Sequence, residues 1–327
     1  MHTPPALSAI VLTHDDYDVC RRIIGQLAQQ TARAQIELIL VGPSAERIGA
    51  DQDDLARFGS HKIVEVGDVD ATGTAMAAGV RAATAPVTCY VEEHDYIDDD
   101  YVERVIAAMA RFDAPMVGFA IRPINPGIVS WAHVFLQFGA VAAPVETGEA
   151  RELGGHHVAY RRDFLLGYGD DLRRVMDNEG ILFEDLRRAG QPMNIAGDIV
   201  VEHVQISHLP SLVRTEFIGQ RIYASGRADV QRWSLAKRAL YVVGSPAIPP
   251  LRVGRAIREV IRSGRSRELL PWILPAMGLA ACAGAIGEAL GYMFGSPQSG
   301  HRARTEIELD RYSFVTDSDR QSAPGKE

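Results

Sequence analysis

A chain of 327 residues with 46% hydrophobic and 23% charged side chains is globular and has room for one large domain plus an appendage; a disordered chain is excluded. Its net charge of −8 is unevenly spread, because residues 214–267 hold twelve Lys/Arg against three Asp/Glu and leave the remainder strongly acidic. Cys20, Cys89 and Cys282 share no metal-site spacing and read as buried thiols of a reducing compartment. The first residues, MHTPPALSAIVLTHDD, lack the basic start and long apolar core of a secretion signal, so a cytoplasmic protein is expected.

Residues 7–13 (LSAIVLT) read as a buried strand, and Asp15 or Asp16 can cap a helix over 17–30 whose apolar positions have helical spacing. A second strand, 36–41 (IELILV), breaks at Gly42-Pro43. A short helix over 53–58, a strand over 62–66 and an Ala-rich helix from Asp70-Ala71-Thr72-Gly73 to residue 83 follow. Strands alternating with helices of this length predict βαβ units and a mostly parallel sheet. The next strand begins at Val87 and ends abruptly in Glu92-Glu93-His94-Asp95. Ligands of such sheets sit beyond the carboxyl ends of the strands, and carboxylates with imidazole suit Mg²⁺ or Mn²⁺ beside a phosphate-bearing partner. The competing reading is a solvated acidic turn ahead of the helix over 99–112.

An apolar run at 116–121 follows, and the pattern loosens over 122–153. Residues 154–166 (GGHHVAYRRDFLL) form a motif of their own, a helix over 178–189 stops at Gly190, and 199–204 reads as a final strand. The basic region leads into 269–287, nineteen residues without a charge. Basic groups running into an apolar stretch predict attachment to an anionic membrane surface. A true span, with the arginines kept cytoplasmic, and a helical pair packed on the first domain are the alternatives. Nucleic acid is not an expected partner, since aromatic-rich basic motifs are missing. The expected division is 1–212, 213–295 and a polar, disordered tail over 296–327.

The order of these motifs resembles family 2 glycosyltransferases, over roughly the first two thirds of the chain. The correspondence rests on Val11-Leu12-Thr13-His14 after the first strand, and on Gly73, Ala77, Ala78 and Gly79. It continues with Glu92-Glu93-His94 and Asp95 in place of the metal-binding Asp-x-Asp, and with Arg187-Arg188-Ala189-Gly190 at a helix end. His203 closes the last strand. The segment from Gly155 to Arg162 resembles one that precedes the acceptor-side helix in some bacterial members.

The resemblance implies a GT-A fold, an α/β Rossmann-like sheet flanked by helices, here with a helical, basic and apolar C-terminal extension. It also implies a divalent cation, Mg²⁺ or Mn²⁺, a nucleotide-sugar donor, a glycan or lipid-linked acceptor, and inversion at the anomeric carbon. Carried over by position, Glu179 is the catalytic base, and Glu92, His94, Asp95 and His203 hold the metal. Thr13, Asp15, Ser44, Gly73 and Glu92 bind the donor, and His156, Tyr160 and Arg161 meet acceptor or phosphate.

Each role has a structural rival. Glu179 also suits an early helical turn, His203 a plain hydrogen-bonded histidine, and Arg161-Arg162 a solvated face. One departure stands out: the second strand ends in Val41-Gly42-Pro43-Ser44, without the usual carboxylate for the nucleoside. A catalytically silent binding module of the same fold is therefore the alternative function. A nucleotidyltransferase is disfavoured, because His14-Asp15-Asp16 offers no Gly-rich basic loop after the first strand.

Overall fold

The computed structural model describes residues 4–322, which form two compact units. The first runs to Ile121 and resumes over Val145–His203; the second comprises Arg122–Pro144 and the chain from Val204 on.

The first unit is built on one sheet. Its strands are β1 (Leu7–Leu12), β2 (Ile36–Gly42), β3 (Ser60–Glu65), β4 (Val87–Tyr90), β5 (Asp95–Tyr96), β6 (Met116–Pro123), β7 (Gly148–Ala150), β8 (Val158–Arg161) and β9 (Met193–His203). The order is β3-β2-β1-β4-β8-β6-β9-β5, with β7 also on β9. β1 to β4 are mutually parallel where they pair, and β8 returns antiparallel to β4. β1 and β2 are buried throughout, which explains their near-continuous apolar sequence. Helix Asp18–Gln29 covers them with Cys20, Ile23, Ile24, Leu27 and Ala28, one face at helical spacing. Helix Thr72–Ala82 approaches so closely that a Cβ on Gly79 would lie 2.7 Å from Ile10 Cγ2.

One charge is buried at the amino end of this sheet. Glu37 in β2 accepts from Thr84 N (2.7 Å) and Thr84 Oγ1 (2.8 Å), from Ser8, and from Lys62 Nζ (3.0 Å). Burial alone would raise its pKa, yet these donors hold it down at about 2.

The second unit is helical, with helices Ile128–Gln137, Leu209–Val230, Leu235–Gly244, Ile248–Arg262, Ser266–Phe294 and Gln298–Leu309. Trp131, Leu212, Val260, Ile273, Met277 and Ile307 share its core. The tail expected to be disordered is instead folded as far as it is described. Ile307, Leu309, Phe314 and Val315 are buried, so a polar sequence carries enough apolar anchors to dock; residues 323–327 lie outside the described part. Cys20 and Cys89 are buried as expected, but Cys282 is exposed. Among the described residues, Ser266–Phe294 is the helix long and apolar enough to cross a membrane, and close to half of its apolar window is buried.

Candidate active site

Val91 still bonds to the Ile10 carbonyl of β1, so β4 keeps its register for one residue before the chain turns. The turn closes on itself: Glu92 N–H donates to the Asp95 carboxylate (3.0 Å) and Asp95 N–H to the Glu92 carbonyl (3.1 Å). Two carboxylates are thereby fixed at the carboxyl end of β4. His157 immediately precedes β8, and His203 ends β9 opposite Asp95, so the antiparallel pairings return both rings to this edge. One ligand atom from each of Glu92, Asp95, His157 and His203 lies within 4.8 Å of all the others, and all four residues are buried. His157 Nε2 is 3.1 Å from Asp95 Oδ1, and His203 Nε2 is 3.3 Å from Glu92 Oε2.

The proton inventory shows that this cluster fits a cation. His157 Nδ1 lies 3.2 Å from the Gly155 carbonyl, which can only accept, so Nδ1 carries the proton. Nε2 then faces the carboxylates of Asp95 and Glu92, which also only accept. A positive charge must sit between them, either a second ring proton or a metal ion. Burial works against charge on His157, but Asp95 and Glu92 outweigh it and raise its pKa. Burial likewise opposes ionisation of Glu92 and Asp95, yet the facing imidazoles hold Glu92 well below the usual carboxylate range and lower Asp95. His203 goes the other way: burial and the neighbouring His94 push it down to about 3, leaving the neutral ring that ligation needs. Two carboxylate and two imidazole donors suit a divalent metal of the Mn²⁺ or Zn²⁺ kind as well as or better than Mg²⁺.

His94 adjoins this group without being one of the four, with its Nε2 3.8 Å from Glu92 Oε2. Its Nδ1 is 2.8 Å from Glu93 Oε1 and its Nε2 is 2.9 Å from His203 Nε2, the nitrogen that also faces Glu92, so a cation held by His203 through that atom would displace the His94 contact. The sequence points to His94 as a metal ligand; the four clustered residues contain His157 in its place. Both of the tandem histidines before β8 reach carboxylates, His157 beside Asp95 and His156 between Glu92 and Glu179.

Glu179, just before helix Gly180–Arg188, is joined to the cluster through His156. His156 Nδ1 is 2.9 Å from Glu92 Oε1 and its Nε2 is 3.7 Å from Glu179 Oε2. The Glu179 carboxylate also accepts from the His156 N–H and from the Tyr160 hydroxyl. Burial and the Glu179 charge raise the Tyr160 pKa well above normal, so the phenol keeps its proton and donates. A Cβ on Gly155 would lie 2.9 Å from Glu179 Oε2, so the glycine lets this carboxylate come close to the backbone.

The other expected residues divide by place. Thr13, Asp15 and Ser44 follow β1 and β2 at the same sheet edge as Glu92, since β4 lies beside β1. Their side chains have structural partners: Thr13 Oγ1 donates to Asp16 O (2.8 Å), Asp15 pairs with Arg47 (3.2 Å), and Ser44 Oγ caps a short helix by accepting from Arg47 N (3.2 Å). Gly73 allows helix Thr72–Ala82 to touch helix Leu172–Asp177, where a Cβ would meet the Arg173 carbonyl at 2.3 Å. Arg161 is not at this edge. It pairs with Val87 at the amino end of β4 and bonds to Ala114 O (3.1 Å) and Asp113, while Arg162 bonds to Val80 O. The cavity of about 690 Å³ lined by Arg161, Tyr168 and Asp185 is thus separate from the acid cluster.

Residues 8–168 match the profile of glycosyl transferase family 2. The chain belongs to that family. No curated protein matches its sequence. Among solved structures, the mannosyltransferase PcManGT of Pyrobaculum calidifontis, in complex with GDP-Man and Mn²⁺, superposes with a TM-score of 0.51 at 15% identity, covering 94% of this chain and 88% of that one. TarS of S. aureus, residues 1–349 with UDP, gives a TM-score of 0.46 at 14% identity, covering 88% and 90%. At 15% identity the likeness to the mannosyltransferase is one of fold, the GT-A arrangement. The glycosyltransferase profile stops before Glu179 and His203, so the places of those two side chains rest on the geometry above.

Proposed function

We propose that this glycosyltransferase moves a sugar from a nucleotide-diphosphate donor to a glycan or lipid-linked acceptor, in a metal-dependent reaction that inverts the anomeric centre. The observation that supports it most is the convergence of Glu92, Asp95, His157 and His203 at the carboxyl end of β4, linked through His156 to Glu179. The mannosyltransferase of like fold holds GDP-Man and Mn²⁺, which favours a sugar nucleotide and a divalent cation here.

Those four side chains would hold the cation, which when bound supplies positive charge for the departing diphosphate. Glu179 takes the proton of the acceptor hydroxyl as its oxygen bonds to the anomeric carbon. The bond from that carbon to the diphosphate breaks, and the nucleoside diphosphate leaves with the electron pair. Tyr160 and the His156 N–H hold Glu179 until the acceptor arrives. His156 couples the base to Glu92.

A silent module of the same fold has one observation in its favour: Gly42-Pro43-Ser44 supplies no carboxylate for a nucleoside, and the Ser44 hydroxyl is spent on a helix cap. Calorimetric titration with UDP- and GDP-linked sugars, first with Mn²⁺ and then with chelator, separates the two readings. The enzyme reading expects metal-dependent binding of one donor that disappears in Glu92→Ala. Absence of binding to every donor overturns it in favour of the silent module.

A further inference from the structure

Helix Ser266–Phe294 of the second unit has two unlike faces. One is packed through small residues against helix Leu209–Val230: a Cβ on Gly287 would lie 2.1 Å from the Phe217 carbonyl, and one on Gly291 2.5 Å from the Arg221 carbonyl. On the other, Trp272, Pro275, Leu279, Cys282, Ile286 and Met293 are all exposed and recur at steps of three, four and seven. That spacing makes one stripe, ~32 Å long at the α-helical rise. No charged side chain lies between Glu268 and Glu288, and Glu288 is buried on the packed side, where it accepts from Tyr292 (3.0 Å).

The packed face argues against a span. Its partner helix carries Arg214, Glu216, Arg221 and Arg227, and Glu216 is paired with Arg252. Charges in that number do not enter hydrocarbon. The helix is therefore a core element of its unit with one free apolar side.

Helix Leu235–Gly244 and the first turn of helix Ile248–Arg262 expose apolar side chains as well. Leu235, Leu240, Val243 and Leu251 are 84%, 68%, 78% and 60% exposed. Single exposed leucines need no explanation, but a continuous apolar stripe beside a helix that packs through Tyr241 and Val242 and leaves its leucines in solvent marks a docking surface. Charge selects the occupant. Residues 232–267 hold nine Lys/Arg and one acid, Glu259, in a chain whose net charge is −8; Arg238, Arg252, Arg262 and Arg265 are paired with acids of the unit, and Arg232, Lys237, Arg255, Arg258 and Arg267 are exposed. A second copy docked through the same surface would set two such basic segments against each other, whereas an anionic lipid surface is complementary to them.

We propose that the second unit docks on an anionic membrane surface, with the Trp272–Met293 stripe and the exposed side of Leu235–Gly244 entering the interface and the basic residues meeting lipid head groups. The helix lies in the interface and does not cross it. This goes beyond the transferase reading and does not depend on it.

Phosphatidylcholine vesicles with and without phosphatidylglycerol test the proposal on the full chain. Trp131 and Trp233 are buried at 4% and 7% exposure and Trp272 is 65% exposed, so fluorescence reports the stripe. Co-sedimentation with the anionic vesicles, weakened by salt, is expected, with a blue shift that Trp272→Phe removes. Leu279→Glu with Ile286→Glu, and separately Arg255→Glu with Arg258→Glu, should each weaken binding more than tenfold while circular dichroism stays native. The arginine pair is on the surface, which keeps the test open if the stripe variant misfolds. Failure to bind anionic vesicles overturns the proposal. So does a stable dimer in sedimentation equilibrium that Leu279→Glu with Ile286→Glu dissociates, because the occupant is then a second copy. Retention in native membranes through an alkaline carbonate wash overturns the interfacial placement in favour of a span.

Discussion

In the first unit Glu92, Asp95 and Glu179, side chains that ordinarily face water, are buried; in the second Leu235, Val243 and Trp272, which ordinarily avoid it, are exposed. Burying a carboxylate costs several kcal/mol unless charge or hydrogen bonds compensate it, and here the compensation is visible in the facing imidazoles, Tyr160 and backbone donors. The exposed apolar groups have no such compensation within their own unit. One departure from the burial rule is resolved inside the fold and, on the proposed function, prepares a reaction. The other, on the docking proposal, is met by a surface outside the chain. Only the second is expected to change when a partner arrives.

Several substitutions sharpen that contrast, beginning with the base. Glu179→Gln should lower turnover by about 10²- to 10⁴-fold, the usual worth of a general base, while leaving donor affinity nearly intact. Unchanged turnover would remove Glu179 from the mechanism. Next, His157→Ala should weaken Mn²⁺ binding by about a hundredfold, at the upper end of the losses known for metal-site partners, as read by titration of the donor-free protein. His94→Ala should do less, because the four clustered ligand atoms include none from His94. Equal losses for the two would place His94 among the ligands after all.

A buried carboxylate outside the site gives the control. Glu37 has its folded pKa depressed to about 2, so its stabilisation is present above the unfolded value near 4.5 and is lost as pH falls through about 2. Glu37→Gln should therefore cost about 2 kcal/mol at neutral pH and converge with the wild type in acid. Chemical denaturation at several pH values reads this, and a constant difference across pH would contradict it. The smallest effect probes the tail. Ile307→Val should cost about 1 kcal/mol by removing one methyl from a filled core, a loss that a disordered segment cannot show.

Much of the first unit was legible because β1, β2 and β4 are buried on both faces and alternate with an amphipathic helix and an Ala-rich one. Helix Ile128–Gln137 was hidden for the opposite reason. Ser130 to Phe135 are buried all round, so no polar face marks the helical period. β9 extends well upstream of the predicted strand, because Gly197 interrupts its pattern where a Cβ would lie 2.0 Å from the Val145 carbonyl. The tail misled through composition, since a few anchors such as Leu309 and Phe314 are outnumbered by polar neighbours.

By itself the sequence determined the βαβ order, the acids after β4, the family, and the basic segment running into a charge-free helix. These are local patterns, fixed by spacing along the chain. Tertiary structure alone decided that His157 rather than His94 completes the cluster, that Tyr160 holds Glu179, and that Arg161 lies at the far end of its strand. It also decided which side of helix Ser266–Phe294 is left free. Each of these depends on strand register or on which helix packs where, and a single residue of register sends a side chain to the opposite face.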